Sequence, residues 1–311
     1  MYIKVLGSAA GGGFPQWNCN YYLSRNARNH QSGFLARTQS SIIASTDKKQ
    51  WVLFNASPDL RQQINSTPEL FPDPNGLLRS TPISAVVLTN ADIDHIAGLL
   101  TMRERQPFVI YATERVINVL ENNPVFNILD PAIVKKIPLS VNRLTKICNV
   151  ENEPTGIQIK AFPVPGKIAL FLEDKKKKNF GSEDEDTIGI RIFDKKKNRS
   201  VSYIPGCAKV TAFVKSQVEN SDCLFFDGTL FCDDEMIKAG LGPKTGQRMG
   251  HMSISGEDGA IEAWRNTAIP EKIFIHINNS NPVLDDHSAE RQKVEQSGWK
   301  VAFDGMELNF D

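Results

Sequence analysis

The sequence has no net charge and no long apolar segment. Its 311 residues contain 36 Lys and Arg against 36 Asp and Glu. Nonspecific nucleic-acid binding requires a basic surface, so we expect no nucleic-acid partner. No apolar run approaches the ~18 residues of a membrane-spanning helix, which predicts no membrane insertion. The N-terminus also lacks the apolar stretch of roughly 7–15 residues that a signal peptide needs, so we predict a cytoplasmic location.

Cysteine and histidine are both scarce, with five residues of each. The cysteines are odd in number and scattered, and no two of them form a CxxC pair. That pattern favours a reducing compartment and argues against a disulfide framework. Because histidines are few, each histidine at the end of a predicted strand is a candidate functional residue.

Short apolar runs alternate with helical patterns along the chain. Runs such as AVVL and KIFIHI are continuous rather than alternating, as expected of strands buried on both faces. The mixture predicts an α/β fold of layered sheets with outer helices. The predicted strands are 2–6, 40–44, 51–55, 83–89, 108–112, 156–161, 187–193, 200–204, 223–227, 272–277 and 300–303. The predicted helices are 59–64, 96–104, 114–121, 210–218, 258–266 and 289–296.

The composition changes sharply at only one place. Residues 173–186 read EDKKKKNFGSEDED, a basic block followed by an acidic block. Such a run is typical of a solvated loop. A tail that binds nucleic acid would not carry an acidic block that neutralises its basic block. We therefore predict a single domain, residues 1–311, with a charged mobile insert around residues 173–198.

The first candidate site follows the predicted strand 83–89. Asp92, Asp94 and His95 project from the turn between this strand and the next helix, and α/β folds usually build their sites at such strand ends. The alternative is that an aspartate merely caps the helix. Because three ionisable groups in four positions exceed what a cap needs, the loop is predicted to be functional.

Three more side chains occupy comparable places. Asp227 ends the strand CLFFD, His251 follows a glycine in a polar loop, and His276 stands in KIFIHI. A histidine at the end of an apolar strand is often only a hydrogen-bonded core residue, and that alternative applies to His276. Taken together, imidazoles and carboxylates at strand ends favour a divalent metal site.

These motifs resemble the metallo-β-lactamase superfamily, whose metal loop reads HxHxDH where this chain has Asn90-Ala91-Asp92-Ile93-Asp94-His95. Within it the chain is most similar to the PqqB family of pyrroloquinoline quinone (PQQ) biosynthesis proteins. The resemblance implies a four-layer αβ/βα sandwich. The matching stretches span nearly the full length: LGSAAGGGFPQWNCN at 6–20, ARTQSSI at 36–42, NASPDLR at 55–61, FDGTLFCDDEM at 226–236, MGHMSISG at 249–256, IHINNSNPVLDD at 275–286 and VAFDGM at 301–306.

The chain departs from the family at a motif near the N-terminus. The family usually has CxCxxC there, associated with a structural zinc, whereas this chain has Cys19 followed by Tyr21 and Ser24. One thiolate cannot complete a tetrahedral zinc site. We therefore expect no structural zinc, with the loop held by packing of Phe14 and Trp17.

Of the superfamily's two metal pockets, this chain has the matching residues for only one. The first needs three imidazoles, but two of those positions are Asn90 and Asp92, and FPVPG at 162–166 contains no histidine. The resemblance thus implies a single divalent metal.

The second pocket is complete. Its positions are occupied by Asp94, His95 and His276, with Asp227 where the superfamily bridges the two pockets. The resemblance implies that these three residues hold the metal, with Asp92 or Asp227 as a further ligand or an outer partner.

The resemblance also implies a reaction. PqqB proteins are understood as iron-dependent hydroxylases of a tyrosine-derived Glu–Tyr precursor, and two histidines with a carboxylate suit Fe(II) oxygen chemistry. We expect Fe(II) with O₂ as co-substrate, although the same ligands accept Zn or Mn. His251 would move a proton or contact the substrate. The run Gly11, Gly12 and Gly13 would let backbone approach the ligand, the alternative being a tight turn alone.

Two other functions stay open at this stage. One is a phosphodiesterase-like metal-dependent hydrolase of the same fold. The other is a carrier that transports PQQ or its precursor to the periplasm. In each reading the partner is a small peptide-derived or quinone precursor. The sequence does not determine the oligomeric state, and a homodimer is one of the open alternatives.

Overall fold

A computed structural model describes all 311 residues. No helix combines the length and apolar composition that crossing a membrane requires. The strands are β1 (Tyr2–Gly7), β2 (Ser41–Ser45), β3 (Trp51–Phe54), β4 (Ile83–Val87), β5 (Phe108–Ala112), β6 (Val134–Pro138), β7 (Leu144–Cys148), β8 (Pro154–Pro163), β9 (Ile188–Asp194), β10 (Arg199–Ile204), β11 (Cys223–Asp227), β12 (Glu271–Ile275), β13 (Lys300–Val301) and β14 (Glu307–Asn309).

The helices lie between these strands and are short. They are α1 (Tyr22–Arg28), α2 (Leu60–Asn65), α3 (Ile93–Ile96), α4 (Glu114–Glu121), α5 (Ala212–Val218), α6 (Glu235–Lys238), α7 (Gly246–Met249), α8 (Ala260–Ala263) and α9 (Ala289–Gln296). Turns of 3₁₀ helix cover Pro68–Leu70, Ala97–Leu100, Pro124–Ile128, Leu170–Leu172, Lys178–Gly181 and Pro282–Leu284.

The strands form two seven-stranded mixed sheets. The first has the order β14-β1-β2-β3-β4-β5-β6, and the second has the order β13-β12-β11-β10-β9-β8-β7. In each sheet one part is antiparallel and the other parallel: β3 to β6 run parallel in the first, and β10 to β13 in the second. Loops that follow β4, β11 and β12 carry the candidate site residues.

The core has three layers of apolar side chains. A central cluster of 26 buried residues lies between the sheets, and two outer clusters of 26 and 23 pack the helices onto each sheet. Successive residues of β11 divide between the layers: Phe225 lies in the central cluster and Phe226 in an outer one. This burial on both faces explains the continuous apolar runs, and the predicted αβ/βα sandwich of four layers is confirmed.

The helix predicted over 96–104 is wrong. Helix α3 ends at Ile96 and continues only as the 3₁₀ turn Ala97–Leu100. The reason is that the neighbouring loop takes the helical hydrogen bonds: the N–H of Gly98 donates to the carbonyl oxygen of Ala56 (2.9 Å), and the carbonyl oxygen of His95 accepts from the N–H of Ala56 (2.8 Å). The chain therefore turns here against the neighbouring loop.

The charged stretch at 173–198 is not one continuous insert. Strand β9 occupies Ile188–Asp194, and its Ile188 and Ile190 belong to the central core. The charged residues therefore divide into a loop before β9 and a tight turn between β9 and β10. The loop is anchored at its far end, where Arg115 donates to Asp186 over 2.8 Å; its mobility stays a prediction.

Candidate metal centre

The loop after β4 is built around one amide side chain. Asn90 Oδ1 accepts from the backbone N–H of Asp92 (3.0 Å) and from Nδ1 of His95 (2.6 Å). Asp92 is the N-cap of α3 by position, but its side chain makes no capping bond; its Oδ1 accepts instead from the backbone N–H of Leu170 (3.2 Å). The capping alternative therefore does not account for Asp92.

Asp94, His95 and His276 come together as the resemblance implied. Their ligand atoms all lie within 4.8 Å of one another. Asp94 Oδ2 is 3.0 Å from Nε2 of His276 and 3.8 Å from Nε2 of His95. His276 follows β12 with φ +61°, a left-handed conformation that costs a non-glycine residue energy. Two elements of different sheets thus present three ligand groups to one point.

His95 is oriented for a ligand that protein atoms do not supply. Because Asn90 Oδ1 can only accept, Nδ1 of His95 carries the proton and Nε2 keeps its lone pair. That Nε2 is buried and has no hydrogen-bond partner. A histidine ligand held through its other nitrogen is typical of metal sites, so the donor set fits a divalent metal.

Burial and mutual charge set the protonation of this group. Burial lowers the pKa of His95 to about 4, against the opposing effect of Asp94. His276 is also buried, but the hydrogen bond and charge of Asp94 outweigh that effect and raise its pKa. Burial would raise the pKa of Asp94, yet the two histidines hold it well below its usual range. These shifts favour a neutral imidazole at His95 and a proton shared between His276 and Asp94, which a metal ion can replace.

Asp227, His251 and His276 form a second cluster. His251 Nδ1 lies 2.7 Å from Asp227 Oδ2, and its ring stacks on that of His276 with 5.2 Å between centroids. Asp227 also accepts from the backbone N–H groups of Cys207 (2.8 Å) and Thr229 (3.0 Å) and from the Thr229 hydroxyl (2.7 Å). These four donors occupy both of its oxygens.

Sequence reasoning did not single out Thr229 or Asn90 as partners of the histidines. The hydroxyl of Thr229 lies within hydrogen-bond distance of one atom from each member of the second cluster. The signal available was position alone, because Thr229 follows the strand-ending Asp227 by two residues. An ion at the centre of this cluster would have to displace that hydroxyl.

The glycine run borders the site on one side. A Cβ atom at Gly11 would lie 3.5 Å from Oδ2 of Asp94, which places this backbone directly against the ligand group. Gly12 and Gly13 have φ of +95° and +70°, so they form the tight turn of the alternative interpretation. Contact of Gly11 with a bound ligand stays a prediction.

The N-terminal loop differs from expectation at one residue. Phe14 is buried, but Trp17 is 85% exposed and does not pack the loop. Arg28 takes that role by donating to the carbonyl oxygens of Gln16 (2.9 Å) and Cys19 (3.2 Å). The predicted packing of Phe14 is thus present, whereas hydrogen bonds from Arg28 to the backbone replace the predicted packing of Trp17.

Comparison with known proteins agrees with this architecture. A family model described as a beta-lactamase superfamily domain matches residues 50–277. Zn(2+)-bound PqqB from Methylobacterium extorquens is similar in structure with a TM-score of 0.93, at 45% identity over 99% of this chain and 100% of the other. A diphosphatase of the PhnP family, 20% identical with a TM-score of 0.69, shares the fold. The chain therefore has the metallo-β-lactamase fold.

Sequence identity identifies a narrower family than the shared fold does. Coenzyme PQQ synthesis protein B of Xanthomonas euvesicatoria pathovar vesicatoria is 47% identical over 99% of both chains. The protein of that name from Gluconacetobacter diazotrophicus is 47% identical over 98% of both. The chain belongs to the coenzyme PQQ synthesis protein B family.

Proposed function

We propose that this chain is a metal-dependent enzyme of PQQ biosynthesis, with one divalent ion held by Asp94, His95 and His276. The observation that carries the proposal is the buried, unpartnered Nε2 of His95, which faces Asp94 at 3.8 Å. A buried polar atom without a partner is costly, and a bound cation would remove that cost.

The second cluster supports a single ion. The hydroxyl of Thr229 already stands among Asp227, His251 and His276, and the oxygens of Asp227 are occupied by four donors. Asp227 therefore orients neighbours instead of bridging two metals, and Asp92 holds the Leu170 segment instead of a metal. A hydrolase that clamps its substrate between two ions would need a second open position.

The proposed reaction is hydroxylation of a tyrosine-derived precursor, related to Glu–Tyr. Fe(II) with two imidazoles and one carboxylate supplies O₂ activation when bound. His251 acts beside this centre: Asp227 accepts its Nδ1–H, which leaves Nε2 to take or return a proton. Because His251 is 18% exposed at the side chain, substrate can reach that nitrogen. The backbone at Gly11 closes the opposite side against Asp94.

Anaerobic purification with metal analysis, followed by O₂ uptake on a Glu–Tyr dipeptide, tests this proposal. We expect one iron per chain and O₂ consumption that depends on the dipeptide. Cleavage of a chromogenic phosphodiester without O₂ would instead identify a hydrolase. Quinone binding without any turnover would identify a carrier. Either of these results would overturn the oxygenation proposal.

A further inference from the structure

The hydroxyl of Thr229 is the meeting point of the candidate site. It lies 2.7 Å from Asp227 Oδ1, 2.8 Å from Nδ1 of His276, 3.1 Å from Nδ1 of His251 and 2.9 Å from the carbonyl oxygen of His276. Thr229 is buried, with 4% of its surface exposed. No other hydroxyl in the chain lies within hydrogen-bond distance of two histidine rings.

The number of protons decides how these contacts are arranged. A hydroxyl donates one hydrogen and accepts at two lone pairs. The carboxylate of Asp227 and the carbonyl oxygen of His276 can only accept, so the single hydroxyl proton is directed to them, foremost to Asp227 in the shorter, charge-assisted contact. Thr229 must then accept from His276, so Nδ1 of His276 carries a proton. In the reverse arrangement, oxygen lone pairs of Thr229 and Asp227 would face each other at 2.7 Å.

We propose that Thr229 is a positioning residue that holds His276 with Nδ1 protonated and Nε2 presented to the metal. The proposal rests on the metal site under Proposed function and extends it. The two candidate ligand histidines, His95 and His276, are then held in the same way. Asn90 binds Nδ1 of His95, and Thr229, which is bound to Asp227, binds Nδ1 of His276. Asp227 thus acts on the metal through a hydroxyl and not by direct ligation.

A purely structural role for Thr229 is distinguishable from this one. The backbone of Thr229 already shapes the turn, since its N–H donates to Asp227 (3.0 Å) and its carbonyl accepts from the N–H of Asn278 (3.0 Å). Those bonds survive replacement of the side chain. Only the hydroxyl contacts the rings of His251 and His276. Removing it therefore tests the positioning role separately from the structural role of the backbone.

Thr229→Val is the isosteric test and Thr229→Ser the conservative partner. Thr155→Val is the matched control, because Thr155 is equally buried and its hydroxyl donates to the Ile147 carbonyl on a sheet edge (2.9 Å). Affinity for Zn(II) and Co(II), measured by competition with a chelator, requires neither iron nor O₂. The Nδ1–H signal of His276 in the zinc-loaded protein reports the tautomer directly.

We expect Thr229→Val to weaken metal binding by ~10–100-fold, the usual effect of losing an outer partner of a ligand histidine, and to lose the protected Nδ1–H signal. Thr229→Ser should keep both, and Thr155→Val should bind as the unaltered chain does. If Thr229→Val does not fold, Thr229→Ala carries the same comparison. Unchanged affinity and an unchanged signal in a folded hydroxyl-free variant would overturn the proposal. Failure of the unaltered chain to bind either metal would instead overturn the proposed function.

Discussion

His276 combines a strained backbone with a ligand position. Its φ of +61° places it in the left-handed region directly after β12, and 5% of its surface is exposed. Strain of this kind persists where surrounding structure enforces it, here the contacts of its ring with Asp94 and Thr229. A hydrogen-bonded core histidine would also have a partner at each ring nitrogen, as His276 has in Thr229 and Asp94, so metal binding by a His276 variant distinguishes the two interpretations.

The first prediction contrasts His276→Ala with Cys19→Ser. Loss of one of two imidazole ligands should cost more than the ~10–100-fold in metal affinity expected for an outer partner, and turnover with it. Cys19 only accepts from the N–H of Tyr21 (3.4 Å), which a serine hydroxyl can also do, so its variant should keep metal and activity. Metal content and thermal unfolding of both variants check this. Full iron occupancy in His276→Ala would refute the ligand assignment.

Glu235 is a buried carboxyl outside the metal centre. It accepts from the backbone N–H groups of Phe231 (2.6 Å) and Cys232 (3.1 Å) and from the Ser280 hydroxyl (2.6 Å). Burial nevertheless dominates and raises its pKa to about 7 from 4.5. The folded state therefore retains a proton that the unfolded chain releases, and the associated stability, full below pH 4.5, is lost as the pH rises through about 7.

The second prediction is that Glu235→Gln stabilises the protein at neutral and alkaline pH but not in acid solution. At pH 8 we expect a gain in the free energy of unfolding of about 3 kcal/mol, from ~1.4 kcal/mol per pKa unit over the rise from 4.5 to about 7. Most of that gain should vanish by about pH 4.5, where the unaltered residue is protonated. Asp234→Asn is the control, because Asp234 is exposed and pairs only with Lys238. Denaturant unfolding at several pH values measures the difference; a gain independent of pH would contradict the assignment.

At the scale of elements, the segment from Lys167 to Glu173 connects both sides of the metal centre. Its Leu170 N–H is bound by Asp92, and Glu173 accepts from Lys167 (3.2 Å) and Arg248 (2.7 Å). The hydrogen bonds from Arg248, followed by those from Lys167, lower the pKa of Glu173 to about 2. The segment therefore spans from the loop of Asp92 to the loop that precedes His251.

The third prediction is that Glu173→Gln opens this segment. Losing a charge-assisted pair of hydrogen bonds costs about 1.5 kcal/mol, so backbone exchange or proteolytic cleavage within 167–173 should rise about tenfold. The core should be unaffected, because no strand contacts depend on Glu173. Glu183→Gln is the matched control, since Glu183 is 70% exposed in its pairing with Arg115. Equal cleavage rates in the two variants would contradict the prediction.

Most strands could be predicted because both their faces are buried. The strands missed were β6, β7 and β14, which lie at sheet edges and expose much of their length. Their sequences, such as VKKIP in β6, carry charge and lack a continuous apolar run, so no periodic signal marks them. Edge strands obtain their order from a neighbouring strand, which a local pattern does not contain.

The candidate ligands were predictable for a related reason, whereas their partners were not. Asp94, His95 and His276 stood out as candidates because they lie at strand ends, where α/β folds often build sites, and the resemblance to the metallo-β-lactamase superfamily selected these three as the expected ligands. Asn90 and Thr229 act through hydrogen bonds whose partners, for Thr229, lie on another strand. Such contacts depend on side-chain rotamers and on the packing of the second sheet, and neither can be read from spacing along the chain.

At the scale of the whole molecule, the candidate metal centre is separate from the apolar clusters of the core. The central cluster joins residues from both ends of the chain, from Met1 to Ala302, across the two sheets. A chain of this size buries roughly 75% of its unfolded surface without help from a metal. The candidate ligands Asp94, His95 and His276 follow β4 and β12, so their loss removes contacts at one edge of the sandwich only.

The last prediction is that the protein stays folded without its metal but melts earlier. At a free metal concentration 100 times the Kd, binding adds about 2.7 kcal/mol, which corresponds to a shift of about 4 °C in a chain of this size. Chelation should therefore lower Tm by that amount while the circular dichroism of the strands is unchanged. His276→Ala, already depleted of metal, should melt at the chelated value and not respond to the chelator. Loss of secondary structure on chelation would show instead that the ion holds the two sheets together. His276 follows a strand of one sheet, and the α3 residues Asp94 and His95 follow a strand of the other.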